Sequence, residues 1–271
     1  MSRPPADLRA RLHTGETLLG TFCTVPDPAI VEMTAAAGFD FVCIDTEHAP
    51  TSRGVLESLI RAAEVTGRPA LVRVADNRPE LVGAALDGGA AGVIVPGVDT
   101  ASDARRAVRA TRYPPLGARG GYPGRASGYN RNLANCLARA NDELLLVAQV
   151  ESPAAVAAAR EIAAVDGIDA LYAAPGDLSV ALGAGSGTGT GGGEPVEALR
   201  SVVQAARDEG RSAGLFQPGP ERVGEWLAHG AGFFLLGADA LFLTSAADAT
   251  VRAARAVNSS RAGAVGAAQQ S

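Results

Sequence analysis

The stretch Phe41-Val42-Cys43-Ile44-Asp45-Thr46-Glu47-His48-Ala49-Pro50 decides how the chain is read. Its opening apolar, strand-forming residues lack polar alternation, which predicts a central parallel strand covered on both faces. The run stops at two carboxylates and an imidazole, placing Asp45, Glu47 and His48 at the strand's C-terminal end. In parallel α/β folds the loops leaving those ends converge and ligands bind among them. Read alone, the same letters also suit helix-capping acids and a loop histidine.

Outward from this stretch the pattern repeats. Strand-like runs at 18–23, 41–44, 70–74, 92–95, 144–150, 170–173, 212–216 and 233–236 alternate with helical patterns, and no hairpin signal interrupts the first four units. Several helices open on a cap, as at Asp27-Pro28, Thr51-Ser52 and Ser152-Pro153, where proline fits the first turn because its missing N–H is not needed there. Eight strand-helix units in 271 residues match a single α/β domain, the (β/α)8 TIM barrel. A short helix at 6–12 precedes it and a helix at 240–257 follows. The domain is thus expected at 1–257 and a disordered Ala/Gly/Ser tail at 258–271.

Composition narrows the function. A 47% hydrophobic content permits a large core, and a formal charge of -5 gives no basic footprint for nucleic acid, so a small-molecule partner is expected. The first twenty residues hold no apolar signal core and no run is long enough to span a membrane, so the expected location is cytoplasmic. Cys23, Cys43 and Cys136 show no metal-type spacing. The 183–193 run of glycine, serine and threonine lacks lysine and follows no strand, which reads as a surface loop and not a phosphate cradle.

In a barrel, polar residues at strand ends share one mouth: Asp45, Glu47 and His48, then Arg73, Gln149, Glu151 and Asp177. Arg73 interrupts an apolar run and needs an anionic partner, either substrate or a carboxylate such as Asp45 or Glu47. Glu151 and Asp177 on adjacent strands suit a hard divalent cation that keeps other oxygen ligands, Mg2+ or Mn2+, although helix-capping acids take the same places. His13 and His229 read as structural. The chain has no lysine at all, which excludes imine chemistry by an internal amine. A divalent ion, a histidine and an arginine together suit enolate chemistry on a 2-oxo acid. In the long loop after the fourth strand, Arg125 and Tyr129 are candidate aldehyde contacts or interface residues.

From about residue 20 to 239 the sequence resembles the HpcH/HpaI family of metal-dependent class II pyruvate aldolases. The likeness rests on Ile44-Asp45-Thr46-Glu47-His48-Ala49-Pro50, Val72-Arg73-Val74, the run from Val95 to Thr100, the run from Thr111 to Gly120, Gln149-Val150-Glu151-Ser152 and Pro175-Gly176-Asp177-Leu178-Ser179, in that order. It implies a lyase, EC 4.1.2-like, that cleaves a 4-hydroxy-2-oxo acid to pyruvate and an aldehyde through a metal-bound enolate, with no organic cofactor. By the same likeness Glu151 and Asp177 bind Mg2+, Mn2+ or Co2+, and Arg73 and Gln149 contact the keto acid. His48 with Asp45 forms the acid/base pair. The backbone N–H groups around Ala174, Pro175, Gly176 and Asp177 hold the pyruvate carboxylate. Asp87 reaches an active site, a neighbour's in an assembled homo-oligomer, and the expected assembly is a hexamer with the final helix in its contacts. Ala174 stands where the family commonly has glycine. Oxaloacetate decarboxylation and enolate condensation are the neighbouring readings, and a non-catalytic organic-acid-binding barrel is the reading of another class.

Overall fold

The computed structural model describes residues 7–183 and 195–268, with side chains through Val257. After helix α1 (Leu8–His13), strands and helices alternate: β1 (Leu18–Cys23), α2 (Pro28–Ala36), β2 (Phe41–Asp45), α3 (Arg53–Val65), β3 (Ala70–Arg73), α4 (Pro79–Asp87), β4 (Gly92–Val95) and α5 (Ala101–Thr111). The second half runs α6 (Leu133–Glu143), β5 (Leu145–Val150), α7 (Pro153–Ala157), α8 (Ala159–Ala163), β6 (Ala170–Ala173), α9 (Pro175–Ala181), α10 (Val196–Asp208), β7 (Ser212–Gln217), α11 (Val223–His229), β8 (Phe233–Ala238) and α12 (Asp239–Ala268). All eight strands pair in parallel, each with its sequence neighbours, and β8 closes on β1: the (β/α)8 barrel.

Capping explains several helix starts. Asp27 accepts from the Ala29 N–H at 2.8 Å, Thr100 from Asp103 at 3.2 Å and Ser152 from Ala155 at 3.0 Å, each satisfying a donor that the first turn leaves open. The period of two along each strand then sorts side chains between two cores. Val42, Ile44, Val72 and Val93 pack outward against the helices, while Phe41, Cys43, Leu71, Leu145 and Val147 fill the barrel. Gly20 is obligatory because a Cβ there would overlap the Phe41 ring inside the barrel.

Leu8 and Leu12 of α1 join the inner core and stopper its N-terminal end. Beside them Asp169 is buried and accepts from Arg9 Nε at 2.7 Å, Arg112 Nη2 at 2.8 Å and the Leu146 N–H at 2.8 Å, with His13 Nε2 at 3.2 Å. Arg112 spends its other donors on the carbonyls of Leu144 at 2.6 Å and Gly167 at 3.1 Å.

The structure corrects the sequence reading in four places. Asp177 lies in the first turn of a helix, α9, that the short Pro-Gly-Asp punctuation hides. The helix after β5 breaks at Ala158 into α7 and α8. The long loop after α5 contains a 3-10 turn at Arg125–Ser127. The final helix, expected to stop at Val257 before a disordered tail, keeps a helical backbone to Ala268. Residues 269–271 and, except for Gly183, the glycine-rich 183–193 run lie outside the described residues. Among the described residues no helix is long and apolar enough to cross a membrane.

Candidate active site

Strand register builds the core of the mouth. Asp45 and Arg73 are register partners on β2 and β3, and both continue the inward-facing parity of their strands. They meet in a two-pronged pair, Arg73 Nη2 to Asp45 Oδ2 at 2.6 Å and Arg73 Nε to Asp45 Oδ1 at 3.1 Å. The Arg73 guanidinium lies 4.5 Å from the Phe22 ring centroid, so an aromatic face and a carboxylate fix its plane. Phe22 packs edge-on against Tyr172 at 6.3 Å, and together they floor the mouth. Burial pushes the Tyr172 phenol well above the usual range, so it stays protonated.

Glu47 sits beside this pair, 3.3 Å from Arg73 Nε. Gln149 is fully buried and its amide nitrogen donates to Glu47 Oε2 at 3.2 Å and to Glu151 Oε2. The other oxygen of Glu151 accepts from the Gly97 N–H at 2.8 Å. Burial, and then the neighbouring charge of Glu151, push the Glu47 carboxyl upward against the opposing pull of Arg73. Gln149 Oε1 is buried and meets no donor. Such an atom is costly unless a ligand or cation completes it.

Most of the strand-end residues expected to converge do so: Asp45, Glu47, Arg73, Gln149 and Glu151 form one contact network. The acid/base pair expected of His48 and Asp45 differs. Asp45 takes Arg73 and the backbone N–H groups of Glu47 at 3.0 Å and His48 at 3.3 Å. The His48 ring stands instead 3.7 Å from Glu47 Oε2, 57% exposed to the mouth. The cause is the register: Asp45 is the last inward residue of its strand, and the neighbouring arginine claims it.

Asp177 and the other residues of the 174–177 segment sit where β6 turns into α9. The Ala174 N–H already bonds the Val150 carbonyl at 3.1 Å and Pro175 has none, which leaves the N–H groups of Gly176 and Asp177 as the donors for an anion. Three expected contacts do not reach this chain's own mouth. Asp87 ends α4 on the outer layer, paired with Arg119 at 2.7 Å. Arg125 bonds the Gly88 carbonyl at 2.7 Å and pairs with Glu64, and the Tyr129 hydroxyl accepts from Arg61 at 2.9 Å. Sequence reading missed Phe22, Tyr172 and the Gly97 N–H. Inward parity on β1 and β6 signals the first two, but nothing local signals a backbone donor.

Whether the mouth fits a divalent cation is decided by its donors. Among the described residues no three His, Cys, Asp or Glu side chains form a ready-made cage. Glu151 is nevertheless oriented from both sides, Asp177 is a second carboxylate, and the donor set is all oxygen. That matches a cation bound by one or two carboxylates with substrate and water oxygens completing its shell.

Fold and site thus define a (β/α)8-barrel protein with a carboxylate-rich mouth around one fixed guanidinium. The chain belongs to the HpcH/HpaI aldolase/citrate lyase family, whose model matches residues 18–246. It is 38% identical over 242 residues, 88% of either chain, to 2-keto-3-deoxy-L-rhamnonate aldolase of Klebsiella pneumoniae subsp. pneumoniae. It is 35% identical over 258 residues, 94% of this chain and 95% of the relative, to hydroxypyruvate/pyruvate aldolase of Delftia acidovorans. The crystal structure of the citrate synthase SbnG superimposes with a TM-score of 0.83 at 30% identity, covering 93% of this chain and 98% of that one.

Proposed function

We propose that the protein is a divalent-metal-dependent aldolase that reversibly cleaves a 4-hydroxy-2-oxo acid to pyruvate and an aldehyde. The observation that carries this reading is the Arg73 guanidinium, locked by Asp45 and Phe22 beside the Glu47–Gln149–Glu151 network with its unpartnered Gln149 oxygen. Glu151 and Asp177 would hold Mg2+, Mn2+ or Co2+, which when bound supplies positive charge that lowers the barrier to enolisation.

In cleavage, the C4 hydroxyl gives up its proton, the C3–C4 bond breaks, and its electrons pass into the pyruvate enolate, which is then protonated at C3. Arg73 opposes the negative charge growing on the 2-oxo oxygen. The Gly176 and Asp177 N–H groups hold the carboxylate. His48 is open to the mouth and takes the hydroxyl proton, with Glu47 the base next in line.

A homo-oligomer, a hexamer built from dimers, is part of the same proposal. Leu241, Phe242, Leu243, Val251 and Val257 on α12 are exposed in the single chain, and Asp87 could serve catalysis only across such a contact. A cytoplasmic setting, where the free thiols of Cys23, Cys43 and Cys136 stay reduced, fits this reading.

Likeness to a citrate synthase favours a second reading, in which the same enolate is condensed with another oxo acid or arises by oxaloacetate decarboxylation. A panel of 4-hydroxy-2-oxo acids and oxaloacetate, assayed after chelation and after adding back Mg2+, Mn2+ or Co2+, separates the two. Cleavage restored by metal supports the aldolase. Turnover of oxaloacetate alone favours the second reading, and full activity in metal-stripped enzyme contradicts metal dependence.

A further inference from the structure

We propose that the Tyr172 hydroxyl is a catalytic hydrogen-bond donor in the barrel mouth, giving the 2-oxo oxygen of the bound acid a second donor beside Arg73. The inference rests on the enolising function proposed above and adds a residue outside the network of Asp45, Glu47, Arg73, Gln149 and Glu151.

The ring is fixed from two sides. Phe22 meets it edge-on at 6.3 Å, and Phe233 stacks on it at 6.4 Å. Its register partner on β7 is Gly214, where a Cβ would overlap the Phe233 ring, so the glycine makes the space in which Phe233 lies against Tyr172. Its partner on β5 is Gln149, the residue whose buried oxygen lacks a donor. A ring held in this way carries its hydroxyl to one place.

That hydroxyl is unspent. It makes no hydrogen bond among the described residues, yet it is not sealed in, and the 2% of Tyr172 that is accessible includes it. Burial acts most on its proton, and of the charged side chains Arg73 comes first, followed by Asp177 and Asp45. The phenol oxygen therefore faces the mouth, in the field of the guanidinium and of the first turn of α9. As core filling alone, phenylalanine would cost less, because a hydroxyl taken out of water without a partner is a penalty. An arriving acceptor removes it. Arg73 acts on the phenol more than Asp177 does, which selects the 2-oxo oxygen that Arg73 serves over the carboxylate at the start of α9. Negative charge grows on that oxygen during enolisation, so the bond tightens toward the transition state.

Tyr172→Phe removes the hydroxyl and strands no protein group, so the melting temperature should stay unchanged. With saturating Mg2+, the kcat for exchange of pyruvate methyl protons in deuterated buffer should fall by about tenfold to a hundredfold, the scale of one hydrogen bond to a charged group. The KM for pyruvate should stay within about twofold, since the loss falls on the transition state. Oxalate, which carries negative charge where the enolate does, should bind the Mg2+-loaded variant more weakly by a similar factor in titration calorimetry. Wild-type exchange in Tyr172→Phe overturns the proposal, as does a rise in KM alone or a fall in melting temperature, which would give the hydroxyl to the fold. If the unsubstituted enzyme exchanges no faster than buffer, the enolising function itself falls, and this role with it.

Discussion

The two ends of the barrel each bury an ionic cluster, and they are built to opposite specifications. At the N-terminal end one carboxylate, Asp169, is met by Arg9, Arg112, a backbone N–H and His13, and no buried polar atom of that cluster lacks a partner. At the C-terminal end Asp45 and Glu47 flank one guanidinium, Gln149 ties Glu47 to Glu151, Glu47 is pushed toward its protonated form, and Gln149 Oε1 has no donor. Buried charge that is fully paired holds a fold in register; buried charge in surplus is tolerated where a ligand will complete it. The first end therefore serves stability and the second serves chemistry, the division that barrels of this kind make between their two faces.

That division can be broken by experiment. His48→Ala should slow aldol cleavage by about 10²–10⁴, the range for losing a positioned proton-transfer group. It should spare part of any oxaloacetate decarboxylation, which needs no hydroxyl proton removed. Steady-state kinetics on both substrates reads this, and wild-type cleavage would pass the role to Glu47. Asp169→Ala should do the reverse, costing about 3–5 kcal/mol of stability by stranding Arg112. For a domain of this size that lowers the melting temperature by about 5–10 °C. The kcat of the folded fraction should hardly move, and a large loss of kcat without loss of stability would erase the contrast.

Arg73→Ala should reduce cleavage and decarboxylation together, by about 10²–10³. Lysine should rescue little, because it cannot fork onto Asp45 while facing substrate. The smallest effect sharpens the comparison most. The Glu47 carboxyl holds its proton more tightly in the folded chain than in the unfolded one, so its contribution favours the fold at low pH and is lost as pH rises through its raised folded value. Glu47→Gln should remove that loss and stabilise the metal-free protein at neutral pH while lowering turnover. Denaturant titration that shows Glu47→Gln to be less stable would mean the mouth is not in surplus.

Much of this was legible in the sequence for a physical reason. Alternating strand and helix patterns give the barrel, and in a closed barrel strand ends share one mouth whatever their separation along the chain. That alone brought Asp45, Arg73, Gln149 and Glu151 together. What stayed hidden depends on register and on the third dimension. Whether Arg73 takes Asp45 or Glu47 turns on which residues stand side by side, and that leaves His48 against Glu47. Asp169 and Arg112 form a buried pair across 57 positions that no local pattern marks. The residue-by-residue likeness pointed to Asp87, but its α4 position on the outer layer keeps it from the mouth of its own chain.

The central claim, that the C-terminal mouth enolises pyruvate, is tested most directly by exchange of the pyruvate methyl protons in deuterated buffer, followed by mass spectrometry. The expected result is rapid deuterium uptake with Mg2+ or Mn2+, no uptake beyond buffer after chelation, and uptake slowed by about 10²–10³ in Arg73→Ala. Metal-replenished enzyme that exchanges no faster than buffer, or an Arg73→Ala variant that exchanges as fast as wild type, would contradict it.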